Sequence, residues 1–128
     1  MHHRTPIVTR EQIAQVMDDF YEQVQQHPEL SPAFQVVEDW PQHKAKLTHY
    51  WWMALGGEPY MKYTYDIGQK HRQAGYTSEL LKTHWMPLFE QTIRAHIAPE
   101  SADIWLNQAH KIGSRLSLID DYWRSLQR

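Results

Sequence analysis

A chain of 128 residues is long enough to bury roughly two-thirds of the surface it exposes when unfolded, so it can build a core without cross-links. The absence of cysteine excludes disulfides, thiolate metal sites and cysteine nucleophiles. A net charge of −2, from 13 basic and 15 acidic residues with no basic run, argues against nucleic acid or an anionic membrane as partner. Six Trp, seven Tyr, three Phe and nine His are an unusual complement. The first ten residues hold no apolar run, and nothing approaches the ~18 uninterrupted apolar residues of a membrane span. The expectation is a cytoplasmic protein without a leader, a single domain over 1–128 and no membrane partner.

Taken in chain order, the sequence predicts helices and no strand. Thr9 with Gln12 forms a capping box, and Ile13, Val16, Met17, Phe20, Tyr21 and Val24 follow at three- and four-residue spacing until His27-Pro28 stops the helix. Ser31-Pro32 reads as an N-cap and a first-turn proline opening a short turn that presents Phe34. Asp39 with Gln42 reads as a second capping box, and His43, Leu47, Tyr50, Trp51 and Ala54 line one face up to Gly56-Gly57. Asp66 with Gln69 caps a short segment that carries His71 and ends at Gly75. Thr77 or Ser78 opens a longer helix through Leu81, Trp85, Leu88, Phe89 and Thr92. Pro87 inside that pattern predicts a kink or restart. Pro99 opens the last helix, with Trp105, Ala109, Ile112, Leu116 and Ile119 on one face.

Four long amphipathic helices and a short one fit either a plain bundle or a globin-like arrangement. Tyr21, His43 and Trp85 each put a polar atom on a face that otherwise buries hydrocarbon, and an unpaired buried donor or acceptor costs ~1 to 3 kcal/mol. Singly they read as a core aromatic, a histidine snorkelling at a helix start and one tryptophan among six. His71 alone reads as a cation at a helix C-terminus. Together they point elsewhere. A neutral imidazole on a short, separately aimed segment can ligate the iron of a flat macrocycle from one face, with Ile67 as apolar contact, while polar groups on other helices address the opposite face.

The order of these features resembles the truncated haemoglobins. "FYEQVQQHPELSPAF" is similar to that family's second globin helix and corner, with Tyr21 at the distal tyrosine position and Phe34 at the corner. "HKAKLTHYWWMALGG" resembles the distal helix, with His43 at the distal histidine position and Leu47 one turn on. "GQKH" resembles the proximal motif, and "THWMPLFEQTI" the helix bearing the distal tryptophan, here Trp85. Distal His43 with Tyr21, Phe34 and Trp85 looks most like group III. The resemblance implies an all-α, two-over-two helical sandwich around haem b (iron protoporphyrin IX), with His71 as iron ligand and Phe34, Leu47 and Ile67 as apolar contacts. Lys46, Arg72 and Lys70 are the cations placed to meet the propionates.

A single proximal histidine leaves the sixth position of ferrous iron open for O2, CO or NO. Donors from Tyr21, Trp85 and His43 would favour dioxygen, which draws electron density when bound, over nearly apolar carbon monoxide. The principal expectation is therefore a reversible gas-binding protein, monomeric or a weak homodimer. The alternative is a haem enzyme oxidising nitric oxide to nitrate with an external reductase. His49, His84, His96 and His110 have no place in the family's pattern. His49 shares a helix with His43 but lies six residues on, facing well away.

Overall fold

In the computed structural model the chain is described over residues 7–62 and 77–126, and over 119–124 by its backbone alone. The segment expected around His71, with Asp66, Ile67, Gln69, Lys70, Arg72 and Gly75, lies outside the described residues. Helix α1 spans Arg10–Gln26. The Thr9 box is complete: the Thr9 N–H donates to Gln12 Oε1 at 2.8 Å, and the Gln12 N–H donates to Thr9 Oγ1 at 3.1 Å. The expected stripe from Ile13 to Val24 is buried. Proline disfavours helical geometry in the residue before it, and His27 before Pro28 is extended at φ −83°, ψ 123°. Its Nδ1 accepts the freed amides of Glu29 and Leu30 at 3.1 and 3.2 Å.

A 3-10 turn follows at Ser31–Phe34. Ser31 is not its N-cap, contrary to the sequence expectation. Leu30 holds that position, and Ser31 and Pro32 lie inside the turn. The Ala33 N–H, which a Ser31 cap would have received, donates instead to Leu30 O at 3.2 Å. Helix α2 spans Trp40–Ala54, and Asp39 Oδ1 accepts the Gln42 N–H at 3.0 Å. Only half of the expected box forms, since Gln42 is exposed and its side chain does not return to the Asp39 amide. Gly56, at φ +96°, takes the left-handed conformation that ends the helix. Gly57 is required differently: a Cβ there would run into the Trp52 indole.

Thr77 caps α3, Ser78–Leu80, by accepting the Leu80 N–H at 3.0 Å. A π-helical segment, Leu81–Trp85, leads directly into α4, Met86–His96. This is the disturbance Pro87 predicted. Proline has no N–H to give the Thr83 carbonyl, and its ring would crowd that oxygen in a regular helix. The wider turn accommodates both, and the Met86 N–H donates to Leu81 O, five residues back. Helix α5, Pro99–Leu126, begins at its proline as expected.

Among the described residues there is no strand, and no helix is long and apolar enough to cross a membrane. Helix α1 packs on α2 and α4 on α5, and the two pairs meet where α1 crosses α4. Gln23 Nε2 donates to Thr92 Oγ1 at 3.2 Å across that crossing, and Thr92 donates to Leu88 O. Phe89, 0% exposed, joins all four long helices. Its ring lies 4.9 Å from Phe20 of α1, 5.3 Å from Trp51 of α2 and 5.8 Å from Trp105 of α5. Phe89→Ala should therefore cost about 3–5 kcal/mol of unfolding free energy, read by urea denaturation, with no single helix lost selectively.

Candidate functional site

Helical spacing brings Tyr21 from the last third of α1 to the start of α2. The Tyr21 side chain is 4% exposed, and its ring stands edge-on to three others: Phe20 at 4.9 Å, Phe34 at 5.6 Å and His43 at 5.4 Å. The 3-10 turn swings Phe34 over the same space, 6.3 Å from His43. Leu47, one turn beyond His43, is buried. Four of the expected residues are thus adjacent in three dimensions. His43 is half-buried, with its Nε2 out of reach of solvent.

Trp85 joins this group through Phe20, whose ring is 5.2 Å away, and it packs on Phe89 at 4.6 Å. The π segment decides which way the indole faces, because one extra residue in the turn rotates everything that follows it relative to α3. Lys46 is half-buried on α2, one turn from His43. Ile67, His71 and Arg72 lie outside the described residues.

Sequence reasoning missed Trp40. It packs edge-on to His43 at 5.4 Å and lies 5.7 Å from Tyr21. The signal was present, since Asp39 caps the helix and puts Trp40 in its first turn, three residues before His43 and on the same face. A crevice was missed as well. It measures about 390 Å³ between α2 and α5 and is lined by Tyr50, Met53, Ala54, Gln108, Lys111, Ile112 and Arg115. Tyr50 is one turn past Leu47, so the crevice opens along the face that carries His43. Burial raises the Tyr50 hydroxyl above its ordinary 10.0, while the charge of Arg115 pulls the other way.

His49 points elsewhere, as its position predicts. It is 2% exposed and accepts two backbone amides from the loop after α2. His84 packs against His27 at 5.4 Å, and His96 pairs with Asp19 at 2.8 Å. None of these three makes a ring contact with Tyr21 or His43.

Residues 5–119 match the protoglobin family model. The chain is 30% identical over 112 residues to the group 3 truncated hemoglobin of Campylobacter jejuni, covering 84% of this chain and 87% of that protein. The crystal structure of the group III truncated hemoglobin from Campylobacter jejuni superposes with a TM-score of 0.78 at 28% identity, covering 94% of this chain and 95% of that one. The chain belongs to the group III truncated globins.

Membership implies a haem cofactor and a diatomic gas ligand. The donors of this truncated globin fit such a group. A hydroxyl and an imidazole, Tyr21 and His43, stand among Phe20, Phe34 and Trp40, and an apolar wall with few polar groups is what a macrocycle and a small gas require.

The alkaline limb of stability reports on the crevice. An unfolded tyrosine ionises near 10.0 and folded Tyr50 holds its proton to higher pH, so its contribution is intact below about pH 10 and is lost as pH rises through the folded value. Denaturation midpoints should fall as pH rises above about 10, and Tyr50→Phe should flatten that fall. A residual slope should remain from Tyr60, which burial also raises.

Proposed function

We propose that this truncated globin binds haem b through His71 as the single protein ligand of the iron, and that it reversibly holds dioxygen, with CO and NO as competing ligands, against donors from Tyr21, Trp85 and His43. The observation that carries the reading is the edge-on contact of Tyr21 with His43 at 5.4 Å, two hydrogen-bonding side chains inside a wall of aromatic rings. Haem, when bound, supplies a ferrous iron that takes an imidazole on one face and a diatomic gas on the other.

The chain's own residues do the rest. Phe34, Trp40 and Leu47 keep water from the ligand face, which strengthens every dipole acting there. The Tyr21 hydroxyl and the Trp85 indole N–H donate to a ligand that draws negative charge and offer little to carbon monoxide. His43 lies in the first turn of α2, where a rotamer change opens a way to solvent, so beside donating it has a part in ligand entry. The crevice beside Tyr50 gives the macrocycle's edge room between α2 and α5. Lys46 and Arg72 are the proposed propionate partners, and the proposed location is the cytoplasm.

Purified protein should be red, with a Soret band. His71→Ala should lose haem or hold it weakly, with added imidazole restoring the ferrous carbonmonoxy spectrum; His110→Ala should leave that spectrum unchanged. A fully loaded His71→Ala with an unaltered spectrum would make His43 the iron ligand instead.

A hydrogen bond to a charged acceptor is worth ~1.5 to 3 kcal/mol, so Tyr21→Phe should speed dioxygen release about ten- to a hundredfold in stopped-flow displacement while carbon monoxide release changes much less. Trp85→Phe should act in the same direction, and the double variant should fall short of the product of the two, because both donors address one ligand. Equal dioxygen release in all four proteins would reduce Tyr21 and Trp85 to core aromatics.

A further inference from the structure

The loop that leaves α2 is held at three residues. The Trp52 Nε1 donates to Glu58 O at 2.7 Å, and the N–H groups of Tyr60 and Met61 donate to His49 Nε2 at 3.2 and 3.3 Å. The Tyr60 ring stands edge-on to the His49 ring at 4.7 Å and 83°, and the Arg10 guanidinium of α1 lies 4.6 Å from that ring's centroid and 5.8 Å from Trp52. Loop amides are ordinarily served by water. Here two successive ones are brought to a single imidazole that is 2% exposed, at a point only ten residues before His71 in the chain. One bond would fix a position, whereas two at adjacent residues also fix the direction in which the chain leaves.

We propose that His49 is a positioning residue for the proximal side: by holding Tyr60 and Met61 it fixes the point from which the chain leads on towards His71. The proposal rests on the reading of His71 as iron ligand. The geometry fixes the tautomer, since a nitrogen that accepts two N–H groups carries no proton, and the ring's hydrogen is on Nδ1.

The test uses the haem-loaded protein and the variants His49→Phe, which fills the space without an acceptor, and His49→Gln, which restores one. Amide hydrogen exchange at Tyr60 and Met61, the iron–imidazole stretching band of the ferrous form, and haem transfer to apomyoglobin are measured at neutral pH. In His49→Phe, exchange at both amides and haem transfer should each quicken about tenfold, and the band should shift or broaden. His49→Gln should return all three towards wild type. Faster exchange in His49→Phe with an unmoved band and unchanged haem transfer would overturn the proposal, leaving His49 only a loop anchor. If His49→Phe does not fold, His49→Ala takes its place, and an unmoved band with unchanged haem transfer there would overturn the proposal. A wild type that takes up no haem, or keeps it without His71, overturns the underlying reading and is recognised by haem binding alone.

Discussion

Phe89 sends its ring into the space where α1, α2, α4 and α5 converge, and its contacts with Phe20, Trp51 and Trp105 set the separation of all four helices. Aromatic pairs prefer edge-to-face or offset geometry and resist sliding, so such a hub specifies orientation as well as burial. Its influence on the ligand face is direct. Phe20 is held by Phe89 on one side and meets Tyr21 and Trp85 on others, so the two proposed donors are positioned from a single fixed ring. Replacing that ring would loosen core and donors together.

Much of this could be read from the sequence because local rules and tertiary packing agree. The Thr9 box, the stop at His27-Pro28, the glycine end of α2 and the prolines that open the turn and α5 each act within one or two turns of chain. The buried faces that bear Tyr21 on α1 and His43 with Leu47 on α2 follow from helical spacing within each helix. Trp40 escaped because its membership depends on a cap one residue earlier, and a residue at the edge of an element has no periodicity to mark it. His49 was legible as facing away from His43, about 120° around the helix. What it faces was not legible, since its partners are backbone amides, which every residue carries. The crevice beside Tyr50 is formed between helices distant in sequence and leaves no local trace.

Pro87 is the clearest conflict between local preference and fold. A proline there would kink or break a regular helix at a cost of ~3 kcal/mol or more, yet it stands at the second position of α4 because the π segment absorbs the mismatch. The strain is relieved in a segment that ends at Trp85, one of the two proposed donors. π turns recur where a side chain must be aimed out of helical register, and this one ends on the indole that packs against Phe20. The departure from the expected helix and the proposed function therefore share one cause.

Helix α2 carries both sides of the site at once. One face holds His43, Leu47 and Tyr50, the side proposed for the ligand, and another holds His49 and Trp52 against the loop of Glu58, Tyr60 and Met61. Within a rigid helix the two cannot move independently. A shift of α2 that changed the approach of His43 would also displace the acceptor for Tyr60 and Met61, and loss of that anchor would be felt at the start of α2 through the same backbone. The salt bridge from Lys44 to Asp18, at 3.3 Å, adds little energy at so exposed an aspartate, so the rotation of α2 is governed by aromatic packing. Under the proposed function, coupling between the two sides of the macrocycle would require no long pathway, only one helix with two occupied faces and a hub that fixes its rotation.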